Sequence, residues 1–320
     1  MVFTMQDLPI GNFSFTTFQL NGFYSLGEWR RFMFIPYFLM FVLCTTANSF
    51  LIYLIITQRA LHSPMFVLIG LMASVDLLMP MIFVPSMLLN FLFDWNQISL
   101  VGCLTQIFSV QFIGSYQSTL LLWMSLDRFF AICRPLSYHE NMQMGNFSKF
   151  VLGPIIRNVL VNLILISMAG RLHFCNKNEI NHCFCEHMGL VQLACDDTTP
   201  NNLAGLVGTF LIPTADFIFI AVFYVIIFTS VMKSGKSSWK ALNTCITHII
   251  VITFSLVFLL TSFLSYRTKN NISPNNRVFI STMYIMFPSC FNPIIYGVRT
   301  KEIRLQFLKL FKRMKLCLTQ

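Results

Sequence analysis

Residues Leu100 to Arg128 read LVGCLTQIFSVQFIGSYQSTLLLWMSLDR. From Leu100 to Leu126 there is no Asp, Glu, Lys or Arg, and the pair Asp127-Arg128 ends the run. A helix needs roughly 20 mostly apolar residues to cross a bilayer. From Cys103 to Arg128 such a helix rises about 37 Å, slightly more than the ~30 Å hydrocarbon core. Cys103 and the charged pair therefore lie near opposite interfaces. Six further stretches of the same kind flank this one: Phe32–Thr57, Met65–Leu92, Phe147–Ala169, Leu203–Met232, Ala241–Leu264 and Val278–Val298. Three carry a charge deep in the run, Asp76, Arg157 and Asp216, and Phe147–Ala169 also holds Lys149 near its inner end. A charge at mid-membrane costs about 2.5–3.5 kcal/mol on insertion scales, so each should face the bundle interior and find a partner. The expected fold class is an all-α membrane protein, a seven-transmembrane helix bundle with a short amphipathic C-terminal helix. The expected parts are an outer tail over 1–31, the bundle over 32–298 and an inner helix and tail over 299–320.

Composition agrees. Of 320 residues, 56% are hydrophobic and 11% charged, with a mean hydropathy of +0.68. Soluble domains carry about 25% charged residues; half of that leaves too little polar surface to hold a compact particle in water. The 35 Phe exclude disorder. A net charge of +10 would suit nucleic acid, but the dense basic cluster, Arg299 to Lys315, directly follows an apolar run. That position marks a segment facing membrane lipids, and no nucleic-acid partner is expected. Ile303, Phe307, Leu310, Phe311 and Met314 form its apolar stripe, and Cys317 beyond it is a candidate for palmitoylation.

Orientation follows from Lys and Arg in the short loops. With the N-terminus outside, 14 of them fall on the inner side and 7 on the outer, with Arg157 left in the membrane. The expected location is the plasma membrane, multi-pass, N-terminus extracellular and C-terminus cytoplasmic. No signal peptide is visible, so the first span should serve as anchor. Asn12-Phe13-Ser14 is a glycosylation sequon in the outer tail. The same pattern at Asn146 falls inside, and the one at Asn271 lies close to the bilayer.

Five cysteines lie outside: Cys103, Cys175, Cys183, Cys185 and Cys195. The outside is oxidising, so disulfides are expected and one thiol is left over. His173, His182 and His187 share the long outer loop, which leaves a zinc or copper site open on ligand type. Disulfides with solvated histidines are the favoured reading.

Four motifs then carry a resemblance. Leu61-His62-Ser63-Pro64-Met65-Phe66 resembles the LHxPMY of vertebrate odorant receptors. Met124 to Cys133, MSLDRFFAIC, resembles their MAxDRYVAIC, and Lys240 to His248, KALNTCITH, their KAxSTCxSH. Asn292-Pro293-Ile294-Ile295-Tyr296 is their NPIIY. The motifs stand in family order across nearly the whole chain, and together they are specific for the odorant branch of rhodopsin-like G-protein-coupled receptors. The ending from Gly297 to Arg304, the outer-loop segments Arg171–Cys175 and Leu193–Cys195, and the charges Arg157 and Asp216 resemble class I, the fish-like branch.

The resemblance implies a receptor, not an enzyme, with no cofactor. It binds a small odorant, acts through a heterotrimeric G protein of the olfactory stimulatory type, and raises cyclic AMP. It implies the disulfides Cys103–Cys185 and Cys175–Cys195, leaving Cys183 free. Its switch and coupling residues fall on Asp76, Asp127, Arg128, Asn292, Pro293 and Tyr296. Departures stand beside the match. Phe129 replaces the Tyr of DRY, and Phe130 the Val after it. Gln117 stands where class I receptors commonly carry a Glu that helps the second-helix Asp hold a cation, so a sodium ion at Asp76 has one fewer formal charge to bind it. From the residues alone, Asp76 with Ser115, Gln117, Asn48 and Asn292 makes a buried polar network with two possible arrangements.

A ligand is expected in the outer half, between helices three, five, six and seven. Phe108, Gln111, Phe112 and Ser115 share one helical face, with core packing as the alternative. Phe263, Tyr266 and Arg267 end the sixth span. Arg267 matches an Arg that class I receptors associate with carboxylate odorants; the alternative is a solvated loop cation. The alternative within receptors is a non-olfactory chemosensor that uses the same fold in another tissue. A transporter or channel would want repeated halves or a string of intramembrane charges, and neither is visible.

Overall fold

The structure, a computed structural model, describes residues 14–141, 144–175, 177–234, 239–267 and 272–318. The side chains of 139–141, 144–151, 239–244, 262–267 and 313–318 lie outside the described residues, as do those of Thr209, Ser234, Thr247 and Phe311. The helices run α1 Phe34–Thr57, α2 Pro64–Phe93, α3 Leu100–Cys133, α4 Pro135–Asn141, α5 Met144–Gly170, α6 His187–Val191, α7 Thr199–Ser234, α8 Trp239–Arg267, α9 Pro274–Arg299 and α10 Lys301–Leu318. Three short strands, β1 Thr17–Leu20, β2 Gln97–Ser99 and β3 Glu179–Ile180, sit between them.

Local chemistry sets these boundaries. Pro64 and Pro274 occupy first-turn positions, where a missing N–H costs nothing. The Ser99 and Ser273 hydroxyls accept from Gly102 N at 3.1 Å and Asn276 N at 3.3 Å, capping α3 and α9. Apolar residues surround most helices on all sides, as the bilayer allows. Among the described residues, five helices are long and apolar enough to cross a membrane, covering Tyr24–Thr57, Pro64–Phe93, Leu152–Gly170, Thr199–Lys233 and Pro274–Arg299. Helix α3 is as long, but Gln106, Gln111 and Gln117 and its hydroxyl side chains make it more polar. In α8 a shorter apolar stretch covers His248–Thr261.

Helix α3 packs on α7, α2 and α5, while α1 packs on α2 and α9, and α9 on α8. The main core joins Leu54, Leu68, Phe83, Leu120, Met286 and Tyr296. Tyr37 is 1% exposed, and its hydroxyl meets Thr282 Oγ1 at 2.7 Å, tying α1 to α9. Leu39, Leu163, Ile218 and Val225 are more than half exposed, as a lipid-facing belt would be.

The outer tail is not free beyond residue 13. Strand β1 pairs antiparallel with β2 (Thr17 opposite Ser99) and parallel with β3 (Gln19 opposite Glu179). It thereby bridges the α2–α3 turn and the long outer loop. A 3₁₀ segment, Tyr24–Met33, follows, bent at Gly27, whose φ of 54° suits glycine. Arg30 is buried there. Its Nη1 donates to Asp94 Oδ1 at 2.9 Å, its Nη2 donates to Asn90 Oδ1, and its guanidinium lies 5.8 Å from the Phe91 ring centre.

Candidate functional site

The outer end is built around the start of α3. Cys103 is bonded to Cys185, across 82 residues of sequence, with the Cα atoms 5.2 Å apart. This bond draws the outer loop over the helix ends. Cys175 is bonded to Cys195 with Cα atoms 5.8 Å apart, and Cys183 is a buried free thiol. Gln106 Oε1 accepts from Cys185 N at 2.8 Å and fixes the loop further. Among the described residues, no group of three or more His, Cys, Asp or Glu side chains is placed to hold a metal ion.

Two histidines expected to be solvated are buried instead. His182 is 3% exposed, with its ring edge-on to Phe184 at 4.3 Å. His187 opens α6 and is 4% exposed. Burial penalises the imidazolium, lowering His182 to about 3 and His187 to about 4 from 6.5. His173 alone matches the expectation: it is exposed and 3.1 Å from Asp196.

Under the loop lies a cavity of about 600 Å³ between α3, α5, α7, α8 and α9. Of the four residues on the expected α3 face, Gln111 and Ser115 line it. Phe108 and Phe112 are not among its lining residues. Their rings stack in parallel at 5.9 Å, and Phe112 stacks on Tyr116 at 6.1 Å, along another side of α3. The side chains of Phe263 and Arg267 lie outside the described residues, as does Asn12. The loop residues Glu186, His187 and Asp196 and the α7 residues Asn202 and Gly205 also line the cavity. Sequence reasoning missed Glu186, His187 and Asp196 because loop closure brings them in, and Asn202 and Gly205 because no signal marked the first turns of α7.

Below the cavity, Asp76 is fully buried. Gln117 Nε2 donates to its Oδ1 at 2.7 Å, and Asn292 Nδ2 to its Oδ2 at 3.0 Å. Asn48 Nδ2 donates to Ser289 O at 2.8 Å, joining α1 to α9 beside this pair. Ser115, a candidate partner of Asp76, donates instead to Phe112 O at 3.0 Å, within its own helix. Both Asp76 oxygens therefore accept amide donors, and the residue beside them is Gln117 rather than an acid. A sodium ion there would meet one carboxylate rather than two, with Asn48 Oδ1 as a further buried oxygen.

The other two intramembrane charges meet through one hydroxyl. Thr119 Oγ1 donates to Asp216 Oδ2 at 3.0 Å and accepts from Arg157 Nη2 at 3.1 Å. Ser118 Oγ donates to the same Asp216 oxygen at 2.8 Å. Asp216 is 3% exposed, as a membrane carboxylate should be, whereas Arg157 is exposed on α5.

At the inner end, Arg128 Nε lies 4.0 Å from Asp127 Oδ2. Tyr138, on α4, donates to Asp127 Oδ1 at 2.9 Å. No motif flagged Tyr138; its only signal was a Tyr shortly after Arg134-Pro135, where the chain must turn back. Phe129 packs on Phe223 at 5.4 Å, next to the cluster of Ile227, Val231 and Cys245. Tyr296 is 1% exposed and directs its hydroxyl to Met124 Sδ at 3.9 Å, with His248 of α8 at 5.9 Å ring to ring. The inner ends of α3, α8 and α9 thus meet at Tyr296.

Long apolar helices, a loop pinned by disulfides over a cavity, and a buried polar layer beneath it define a helical bundle of membrane-protein type. A family model described as olfactory receptor matches residues 37–314. Human olfactory receptor 52K1 is 33% identical over 298 residues, 92% of this chain and 95% of the relative. Human olfactory receptor 51E2 is 33% identical over 303 residues, 94% and 95%. Human olfactory receptor 52D1 is 35% identical over 297 residues, 92% and 93%. The chain belongs to the olfactory receptor family of G-protein-coupled receptors.

Proposed function

We propose that this chain is a seven-transmembrane odorant receptor, N-terminus outside and C-terminus in the cytoplasm, that binds a small odorant in its outer cavity and activates an olfactory-type stimulatory G protein. The observation that carries this reading is the stacking of three layers along α3: a cavity of about 600 Å³ at Gln111, the Asp76–Gln117 contact one to two turns below, and Asp127-Arg128 at the inner end. A cavity of that size holds a small organic molecule.

One rigid helix touches all three layers, so a ligand that prefers one arrangement of the outer layer biases the inner one. Helix α8 has no proline and moves outward as a straight rod, opening the cleft that Arg128, Asn292, Pro293 and Tyr296 border. Helix α10 rests its basic face on anionic lipid of the inner leaflet. Cells expressing the tagged chain with the olfactory stimulatory G protein are exposed to a broad odorant panel and read for cyclic AMP. Concentration-dependent signals that untransfected cells lack support the reading. Silence across the panel, with the chain at the cell surface, contradicts it.

A further inference from the structure

The outer cavity carries polar atoms that the fold itself does not use. Gln111 Oε1 and Asn202 Oδ1 are buried acceptors with no hydrogen-bond partner, and His187 Nε2 is likewise unpartnered. All three residues line the same cavity. The His187 ring is seated against α7 at Gly205, where a Cβ would come within 2.6 Å of Cε1 and 2.8 Å of Nδ1. Only glycine leaves room for the imidazole there. A buried acceptor left without a donor keeps its full desolvation penalty, so a donor that satisfies it is favoured over a group that cannot donate.

Charge narrows the choice. Glu186 and Asp196 line the cavity, and among the described residues no Lys or Arg does. Of the described side chains, a carboxylate entering there meets two acids and an imidazole. Val110, Leu206, Leu259 and Ile285 supply the apolar wall for a hydrocarbon body.

Resting on the receptor reading above, we propose that the ligand is a small neutral molecule with a hydroxyl group, an alcohol or phenol, seated between Gln111 and His187. The hydroxyl donates to Gln111 Oε1 and accepts from His187 Nε2–H in that tautomer. A hydroxyl can both donate and accept, so it suits an unpartnered acceptor and an unpartnered ring N–H alike; an ether, ester or carboxylate can only accept. Asn202 offers a second acceptor to diols. The carboxylate class that Arg267 suggested is the competing outcome.

The test uses the full chain in cells with a cyclic AMP readout. The probes are matched sets of the same carbon skeleton, linear C4–C10, cyclic and aromatic, each as alcohol, methyl ether, carboxylic acid and primary amine. Expected are responses to alcohols at concentrations about tenfold or more below those of the matching ethers, as one hydrogen bond gives, and below those of the acids. Gln111→Leu should collapse the alcohol–ether difference. Gly205→Ala, which displaces the His187 ring and leaves Gln111 in place, should weaken alcohols by a similar factor, and surface staining checks delivery of both variants. Acids or amines as the most potent set, ethers equal to alcohols, or no response to any alcohol would overturn the proposal. In the first two cases the receptor reading survives, because the chain still signals. A chain silent to this set and to the broad panel above loses both.

Discussion

Gln117 illustrates how one side chain changes what a receptor needs. Its amide donates to Asp76 at 2.7 Å, and Asn292 covers the other oxygen at 3.0 Å. Charge-assisted N–H donors stabilise a carboxylate there, and no second carboxylate stands at position 117 to call for a cation. Replacing extracellular sodium with N-methylglucamine is therefore expected to leave ligand potency of the wild-type chain unchanged. Gln117→Glu puts a second carboxylate against Asp76 and should make potency depend on sodium; a sodium effect on the wild type would show that the amides do not suffice. Cys183 makes a related point. Its thiol is 1% exposed and sits where any Cβ on Gly22 would strike it, and burial pushes its pKa up, against a smaller opposing pull from Arg30. A thiolate is the reactive form, so a membrane-impermeant maleimide should leave the folded chain unlabelled and label it only after denaturation.

The outer loop is the element whose stability is most conditional. Two bonds, Cys103–Cys185 and Cys175–Cys195, and the β1 pairing hold it. Loss of a native disulfide typically costs about 2–5 kcal/mol, so Cys103→Ser should abolish surface delivery, measured by staining an N-terminal tag on intact cells. The loop also buries two neutral histidines. Their folded values, about 4 for His187 and about 3 for His182, lie below the ordinary 6.5. Stability from this source is complete above pH 6.5 and falls as the pH drops toward 4, because the unfolded chain binds the protons first. The slope is on the order of 1.4 kcal/mol per pH unit for each histidine. The melting temperature of purified protein should fall between pH 7 and pH 5, and His182→Gln with His187→Gln should flatten that profile. An unchanged slope would mean the histidines titrate freely in the fold.

At the scale of the whole molecule, long-range apolar runs were the legible part. The expected Met65–Leu92 and Val278–Val298 stand against Pro64–Phe93 and Pro274–Arg299. The α3 run stopped at Leu126 on hydropathy, yet the helix continues to Cys133, because charged residues past the interface do not end a helix. The outer sheet was invisible, since strands of two to four residues leave no period to detect. The Asp76–Asn292 contact was legible from buried polar types in two apolar runs. The Thr119 bridge between Asp216 and Arg157 was not, because a threonine among apolar residues carries no signal of what crosses it.

The central claim is that a ligand in the outer cavity acts on the G protein through the inner end of α3. Odorant-stimulated cyclic AMP, compared between the wild-type chain and Arg128→Ala at equal surface level, tests it most directly. The account predicts a concentration-dependent rise for the wild type and its loss in Arg128→Ala. An equal rise in both would contradict it.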